Sequence, residues 1–336
     1  MSVVLDPDDA SANTAAGLGT LGTYRLLERV GAGALGEVFR SRDTRHGRTV
    51  AIKRVPGGLS ADPARLASLN ATCSRLVPFS HPGVAMLYEC DQDDGQWFLA
   101  QEYVAGQSLT QLLGGQPLNP RRAVEIAIEI ADALAALHEA GLVHGDLRAE
   151  TVFLTQKGHV KLVDAGLSAF TSGGALRRAV PSRLGGLGPE TLPVVRALAP
   201  EEAMGEGSDW RADLHGLGVV FYQMLTGQSP FEKGSADDTL LAVLRSAPPP
   251  VASRHPKAGL ELDAVLARAL AKPLDRRHPS AAAMAGALRS VKATMEAELA
   301  EAQPPPVATE PRRTLRWWLG GLAMLAAAGA WWLLAR

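Results

Sequence analysis

Four short stretches of the chain carry residues that could do chemistry. The stretch LVHGDLRAETVFL contains Asp146, Arg148 and Thr151, and HVKLVDAG contains a second acidic residue, Asp164. VAIK ends at Lys53, and GAGALGEV fits the pattern GxGxxGxV. An amine, two carboxylates and a glycine loop that admits phosphates are the groups needed around a magnesium-bound triphosphate. The sequence therefore predicts chemistry on a nucleotide.

The elements around the glycines decide between two nucleotide-binding folds. A GxGxxG pattern alone is weak, because dinucleotide-binding folds use the same glycines between a strand and a helix. Here TYRLLERV reads as a strand before the glycines, and EVFRSRD continues with strand-like residues after them. TRHG then predicts a turn, and RTVAIKRV a further strand. Strand, glycine loop and strand argue against the dinucleotide-binding fold.

The rest of the chain changes from strands to helices. Asp62 and Pro63 are typical of a helix start, and Leu66, Leu69, Cys73 and Leu76 follow on one face. VAMLYEC and QWFLAQEYV predict two strands around the turn DQDDG. An alanine-rich helix is predicted from Pro120 to Ala140, and the chain beyond Pro200 is mostly helical. A strand-rich part is thus joined to a helical part near Glu102–Gly106.

Composition excludes several classes of function. The 336 residues include 34 basic and 35 acidic side chains, and a net charge of −1 gives no electrostatic reason to bind nucleic acid. Cys73 and Cys90 fit no disulfide framework or metal spacing and suit a reducing compartment. The eight histidines show no metal-binding spacing.

Several motifs in order give the chain a family resemblance. GAGALGEV, VAIK, HPGV, HGD, DAG, APE and ADLHGLGVVFYQMLTGQSPF stand in the order and spacing found in protein kinases. LARALAKPLDRRHPS looks like the bacterial members of the Ser/Thr kinase family. The resemblance covers residues 23–292 and implies an α+β, two-lobed fold, with a β-rich N-lobe (23–104) and a helical C-lobe (105–292). It also implies ATP and Mg²⁺ as cofactors and proteins as substrates.

The resemblance assigns a role to each candidate residue. Asp146 would orient the acceptor hydroxyl, Lys53 would pair with phosphate, and Arg148 would supply positive charge beside them. Asp164 would bind the metal, with Thr151 as a weaker second ligand. Nucleotide contacts are implied for Gly31, Gly33, Gly36, Val38, Ala51, Lys53, Glu102, Val104 and Phe153. Two structural roles are also implied: an ion pair between Glu201 and Arg277, and support of the catalytic loop by Asp213.

Five positions depart from the family pattern. The glutamate that pairs with the lysine is absent, because its equivalent is near Thr72 and no glutamate stands between Arg54 and Tyr88. Asp164 is the expected substitute partner of Lys53, through bound nucleotide and metal. The other four departures are Gly145 for arginine, Ala165 for phenylalanine, Thr151 for asparagine and Val194 for threonine.

These departures leave two interpretations open. Gly145 and Ala165 concern regulation, so loop phosphorylation is not expected to be the on-switch, whereas Thr151 and Val194 concern the transfer itself. The chain is either a Ser/Thr protein kinase of low or specialised activity or a pseudokinase that gathers partners at a membrane. Small-molecule kinases also use HGD, but they lack the APE segment and the glycine loop.

The two ends of the chain are predicted to lie outside the folded domain. Residues 1–22 are expected to be disordered, and a Pro-rich, basic linker (293–316) precedes an uncharged segment, Trp317–Ala335. As a helix this segment would span ~28 Å, enough to cross a bilayer, and tryptophans lie near both of its ends. Basic residues before the span place the kinase-like domain in the cytoplasm of a single-pass membrane protein. Alanine pairs at small-xxx-small spacing allow a homodimer.

Overall fold

A six-stranded antiparallel sheet forms the N-terminal lobe. The computed structural model describes residues 18–33, 35–171, 186–253 and 259–302. Short turns connect β1 to β2, β2 to β3, β3 to β4 and β5 to β6, whereas two helices lie between β4 and β5; the order in the sheet is β1-β2-β3-β4-β6-β5. They are β1 (Thr20–Leu21), β2 (Tyr24–Gly33), β3 (Gly36–Asp43), β4 (Arg48–Arg54), β5 (Leu87–Asp93) and β6 (Gln96–Glu102).

The alternation of side chains along these strands separates a core from a cleft. Val50 and Ile52 of β4 lie in a buried cluster that also contains Phe39. Because successive strand residues point to opposite faces, Ala51 and Lys53 point to the other face, towards the helical lobe. The strand register therefore sets the position of Lys53.

One main helix lies beside the sheet. After a single turn, α1 (Gly57–Ser60), helix α2 (Pro63–Leu76) begins at Asp62, whose carboxylate accepts from the amides of Ala64 and Arg65 at 3.0 and 3.2 Å. The predicted N-cap at Asp62 is confirmed. Leu69, Cys73 and Leu76 form the buried face. Cys73 and Cys90 are both free.

The C-terminal lobe is built from helices around a small three-stranded sheet. The strands β7 (Gly106–Ser108), β8 (Val152–Thr155) and β9 (Val160–Leu162) pair in that order. The first helices are α3 (Leu109–Leu113), α4 (Pro120–Glu139), α5 (Leu192–Val195) and α6 (Pro200–Met204). They are followed by α7 (Trp210–Thr226), α8 (Ala236–Arg245), α9 (Leu260–Ala269) and α10 (Ala281–Ala302). Short 3₁₀ helices span Ser168–Phe170, Pro189–Thr191, Val251–Ser253 and Leu274–Arg276.

The lobe's core forms where α4 packs against α7. Both helices are apolar over most of their length, and Ile130, Leu134, Leu217 and Phe221 are fully buried. The two-lobed architecture predicted from the sequence is confirmed.

Two predicted boundaries differ from the structure, and a third prediction falls outside the residues that it describes. The prediction of disorder up to residue 22 is wrong at its end, because Thr20 and Leu21 pair with Arg25 and Tyr24. Helix α10 continues to Ala302, past the expected end of the domain at residue 292 and into the expected linker. The predicted membrane span, 317–335, lies outside the described residues, and no helix within them is long and apolar enough to cross a membrane.

Candidate active site

Lys53 and Asp164 form a direct ion pair between the two lobes. The lysine extends from β4, and the aspartate follows β9; their side chains are 7% and 11% exposed. The sequence predicted a pairing through nucleotide and metal, whereas in this structure the two side chains touch. Burial lowers the pKa of Lys53 to about 7, because the ammonium loses its hydration.

The backbone around Asp164 is held against the catalytic loop. Asp164 has a left-handed φ of +63°, which is uncommon for a residue with a side chain. The amide of Val163 donates to the Thr151 carbonyl at 2.9 Å, and that of Gly166 donates to the His144 carbonyl at 3.1 Å. These two bonds flank Asp164, so the catalytic loop fixes the turn that carries it.

Helix α2 contacts this turn directly, without an aromatic residue in between. A side chain at Gly166 would lie within 3.1 Å of Leu76, the last residue of α2. Thr72 stands at the position of the missing glutamate, and its hydroxyl donates to the backbone carbonyl of Ser68 in the same helix at 3.0 Å. Helix α2 thus supports the Asp164 turn by packing and contributes no carboxylate to Lys53.

The catalytic loop, residues 144–151, is held by a buried carboxylate. Asp213 of α7 accepts from the amides of His144 and Gly145, both at 2.8 Å, and also contacts His138 Nε2 at 2.9 Å. The predicted supporting role of Asp213 is confirmed. Gly216, one turn further along α7, approaches the loop so closely that a Cβ there would lie 2.8 Å from the Leu147 carbonyl oxygen.

Gly145 is required by the backbone of this loop. Its φ is +75°, and an added Cβ would overlap the hydroxyl of Ser168. A side chain at this position would therefore be both strained and blocked. Gly145 in HGD therefore replaces the family's arginine and is also required by the backbone conformation of the loop.

Asp146 and Arg148 face each other within the loop. Asp146 is buried, at 3% exposure, and its Oδ1 lies 3.2 Å from Arg148 Nε. Arg148 Nη1 lies 3.5 Å from Glu150 Oε2. A carboxylate able to accept a proton and a cation able to offset phosphate charge thus stand side by side.

Thr151 directs its hydroxyl at the backbone of its own loop. The Oγ1 atom accepts from the Arg148 amide at 3.1 Å and lies 2.9 and 3.0 Å from the carbonyl oxygens of Asp146 and Arg148. One lone pair and the only proton of the hydroxyl are engaged, so a weak metal ligand at best remains. Among the residues that the structure describes, no cluster of three His, Cys, Asp or Glu could bind a metal.

The glycine hairpin between β2 and β3 forms the upper edge of the cleft. Gly31 pairs with Val38 and Gly33 with Gly36. Gly36 has a φ of +126°, and a Cβ there would overlap the carbonyl of Arg54. Only glycine fits at this position, so the hairpin lies close to the end of β4, next to Lys53.

The predicted adenine-binding residues lie on strands that meet at the cleft. Val38 pairs with Lys53 and Ala51 with Gln101, so their side chains share the cleft face. Phe153 lies on β8, directly after the catalytic loop.

The predicted hinge follows the end of β6. The carboxylate of Glu102 is bound by Lys161 Nζ at 2.8 Å and by the Met86 amide at 3.2 Å. The Glu102 amide also donates to the Met86 carbonyl at 2.8 Å, so the Glu102 carbonyl and the backbone of Val104 are the hinge groups left for a nucleobase.

Two further positions complete the lower lobe. Arg277, whose side chain is fully buried, donates two hydrogen bonds to Glu201, both at 2.7 Å, so the predicted ion pair is confirmed. Val194 packs against a buried cluster that includes Leu198 and Leu240. Its methyl groups supply packing where the family has a hydroxyl.

A profile of the protein kinase domain matches residues 24–262. This chain belongs to the protein kinase family. Among its relatives, a probable serine/threonine-protein kinase of Streptomyces coelicolor, SCO3848, is 33% identical over 266 residues, which are 77% of this chain and 38% of that protein. Serine/threonine-protein kinase pkn3 of Myxococcus xanthus is 34% identical over 280 residues, covering 80% of this chain and 50% of pkn3.

Other comparisons agree with this assignment. Serine/threonine-protein kinase PknB of Mycolicibacterium smegmatis is 32% identical over 299 residues, covering 87% of this chain and 45% of PknB. The chain thus spans half or less of the length of these relatives. A crystal structure of a variant of the Mycobacterium tuberculosis PknI kinase domain superposes with a TM-score of 0.63 at 26% identity, covering 83% of this chain and 99% of that one.

The kinase domain also contains site residues that sequence reasoning missed. Gln101, directly opposite Ala51, is 4% exposed and donates to the Ala85 carbonyl at 3.3 Å. Glu150 bridges Arg148 and Arg196. Glu150 lies in the same short motif as Asp146, but Arg196 is 46 residues away and has no local signal.

Proposed function

We propose that this chain is a Ser/Thr protein kinase that transfers the γ-phosphate of ATP to serine or threonine hydroxyls of proteins, at a low or specialised rate. One observation carries the proposal. In a chain of the protein kinase family, Lys53 pairs with Asp164 and Asp146 pairs with Arg148, and backbone hydrogen bonds join the Asp164 turn to the catalytic loop that carries the second pair. Family membership alone would not require all four to remain.

ATP would occupy the cleft between the glycine hairpin and the catalytic loop. Val38 and Ala51 on one side and Phe153 on the other would hold the adenine, and the hinge backbone would bind its edge. Lys53 leaves Asp164 to pair with the phosphates, since they offer the buried ammonium more negative charge than one carboxylate does. Binding therefore replaces one ion pair with another.

The donor set suits one Mg²⁺ ion better than two. Asp164 offers a hard, anionic oxygen at the cleft, which is the ligand that Mg²⁺ prefers. Thr151 offers a neutral oxygen that is already engaged by the loop backbone. When bound, Mg²⁺ would neutralise part of the triphosphate charge, so Asp164 is its principal protein ligand and Thr151 a weak second one.

Asp146 and Arg148 would act on the acceptor side. Asp146 would accept the proton of the substrate hydroxyl. The hydroxyl oxygen would bond to the γ-phosphorus as the bond between that phosphorus and the ADP oxygen breaks. Arg148 offsets the negative charge that is shared by the phosphoryl group and Asp146. The α2 glutamate is absent, and Thr151 and Val194 stand where the family has asparagine and threonine. These changes remove contacts made in the transition state, so we expect a low rate.

Transfer of radioactive phosphate tests this proposal. The full-length chain with Mg²⁺ and γ-labelled ATP is expected to label itself or a generic basic protein on serine or threonine. Asp146→Asn is expected to lower labelling by ~100-fold, the usual scale of a general base. No labelling by the wild type, or equal labelling by Asp146→Asn, would contradict it.

A second candidate function is that of a pseudokinase, a nucleotide-responsive scaffold. Two observations favour it: Thr151 gives its hydroxyl to the loop, and Lys53 binds Asp164 with no glutamate to hold it towards phosphate. A pseudokinase would show a rise in melting temperature with Mg-ATP but no turnover. A measurable rate that Lys53→Met abolishes would exclude it.

We also propose that the kinase domain is attached to a membrane by the segment 317–335, on the cytoplasmic side. Support comes from the sequence: 19 uncharged residues, tryptophans near both ends, and arginines at 312, 313 and 316 before them. The full-length protein is expected in the membrane fraction after a carbonate wash, and a chain ending at residue 302 in the supernatant. Crosslinking in detergent tests the homodimer, and a purely monomeric pattern counts against it.

A further inference from the structure

A chain of alternating charges leads from the catalytic aspartate to the surface. Asp146 contacts Arg148 at 3.2 Å, and Arg148 contacts Glu150 at 3.5 Å. Glu150 Oε1 then lies 2.9 Å from Arg196 Nη2, and Arg196 Nη1 lies 3.3 Å from Glu232 Oε2. The five side chains belong to three segments: the catalytic loop, the residues just before α6, and the stretch after α7.

Glu150 and Arg196, in the middle of this series of charged side chains, each contact two partners and so control its geometry. Each oxygen of Glu150 faces a different arginine, and each terminal nitrogen of Arg196 faces a different glutamate. Side-chain exposure is lowest at the inner end, 4% at Asp146 and 16% at Arg148, is 29% at Glu150 and 23% at Arg196, and is highest at Glu232, at 39%. The inner pairs are thus less screened by water and depend more strongly on their geometry than an isolated surface pair does.

We propose that Arg196 is a positioning residue: by holding Glu150, it keeps the guanidinium of Arg148 beside Asp146 and orders the catalytic loop. This inference rests on the proposed function of the site. Gly145 replaces the family's arginine and has no side chain that could order the loop. Arg148 and Arg196 instead bind carboxylates of the catalytic loop. Both partners of Arg196 are carboxylates of the chain itself, so the arrangement needs no added phosphate.

Loss of Arg196 would shift the balance of charge at Glu150. Its carboxylate would interact with Arg148 alone and draw that guanidinium outward, away from Asp146. Arg148 would then be misplaced at the moment of transfer, while Lys53 and the glycine hairpin, on the other lobe, would be unaffected. The expected consequence is a lower kcat at an unchanged KM for ATP.

Steady-state kinetics on the full-length chain test this role. Arg196→Gln is expected to lower kcat ~10-fold and to leave the KM for ATP within ~2-fold. Glu232→Gln is the matched control, since it removes only the outer link, and it should stay within ~2-fold of the wild type. Arg196→Lys should be intermediate, because one ammonium does not bridge two carboxylates as a guanidinium fork does. Equal losses in Arg196→Gln and Glu232→Gln would overturn the proposal.

A double-mutant cycle supplies the coupling. If Arg196 acts through Glu150, adding Arg196→Gln to Glu150→Gln should cause no further loss of kcat beyond ~2-fold, whereas independent effects would multiply. Multiplying effects would contradict the proposed route.

Hydrogen exchange measures loop order without any turnover. In the nucleotide-free, full-length protein, amides of residues 144–151 should exchange ~10-fold faster in Arg196→Gln than in the wild type or Glu232→Gln, with other segments unchanged. Unchanged exchange in the loop would overturn the positioning role. A wild type that transfers no phosphate would instead contradict the proposed function, and the exchange data would still decide the role of Arg196.

Discussion

Lys53 and Asp164 bind each other directly. This contact takes the place of an ion pair between the lysine and a glutamate of helix α2, which this kinase domain lacks. The pair is buried, and the equivalent of the missing glutamate, Thr72, is occupied by a bond within its own helix. The carboxylate that holds the lysine is therefore the same one that we expect to bind the metal. We expect nucleotide binding to open this pair, and the affinity for Mg-ATP to depend on the charge of Lys53.

Mg-ATP affinity should fall as the pH rises above about 7. Burial lowers the pKa of Lys53 to about 7, and phosphates favour the charged amine, so binding above that pH requires the uptake of a proton. Calorimetry should show ~10-fold weaker binding at about pH 8.5 than at about pH 7. Lys53→Arg keeps its charge throughout and should give a flat profile. A wild-type affinity that does not change over this range would contradict the prediction.

Replacing Gly145 by alanine should destabilise the kinase domain and slow transfer. The residue is strained at φ +75°, and its new Cβ meets Ser168. We expect a loss of about 2–3 kcal/mol in unfolding free energy, measured by denaturant titration. Gly114→Ala is the matched control, because φ is +51° there and nothing lies within 4 Å, so it should lose only about 1 kcal/mol. Equal losses would mean that Ser168 does not limit the space.

Thr151→Val should affect the loop more than the metal. Valine keeps the shape but removes the three backbone contacts of the hydroxyl, so kcat should fall ~10-fold. The Mg²⁺ concentration for half-maximal activity should change by less than ~2-fold, because Thr151 is at most a weak ligand. A large shift in the Mg²⁺ requirement would show that Thr151 is a principal metal ligand instead.

The C-terminal lobe should lose stability in mild acid because of His215. The imidazole is fully buried and stacks on Phe231 at 5.9 Å, and burial, together with the charges of Arg277 and Lys272, lowers its pKa well below the usual value. The unfolded chain binds a proton near pH 6.5 that the folded chain refuses, so stability is lost as the pH falls through that value.

Substitution isolates this contribution. Between about pH 7.5 and pH 5.5, His215→Phe should lose about 1.4 kcal/mol less unfolding free energy than the wild type loses. His159→Gln, at an exposed position, should behave like the wild type. If His215→Phe and the wild type lose the same amount, the acid sensitivity arises elsewhere.

Motifs with local signals were predictable from sequence. Glycines, VAIK, HGD and DAG each carry their meaning within a few residues, and the helix start at Asp62 follows from its capping chemistry. The register that places Ala51 and Lys53 on the cleft face follows from strand alternation. The two-lobed fold could therefore be expected from the order of these motifs and their resemblance to protein kinases, whereas the roles of the site residues stay predictions.

Contacts between distant segments could not be predicted in this way. The bond of Arg196 to Glu150 spans 46 residues, and the opposition of Gln101 to Ala51 depends on strand order. The direct contact of Lys53 with Asp164 was missed for a related reason: 111 residues separate them, and sequence gives no distance. The boundary errors arose because short strands and helix ends leave weak patterns.

Calorimetric titration with Mg-ATP tests the central claim most directly, namely that one amine and the carboxylates around it form a site for magnesium-bound triphosphate. The full-length chain is expected to bind the complex at sub-millimolar concentration. Asp164→Asn should weaken binding at least ~10-fold when Mg²⁺ is present but not when it is replaced by a chelator. No heat of binding up to millimolar nucleotide, or an affinity that Asp164→Asn leaves unchanged, would contradict this claim.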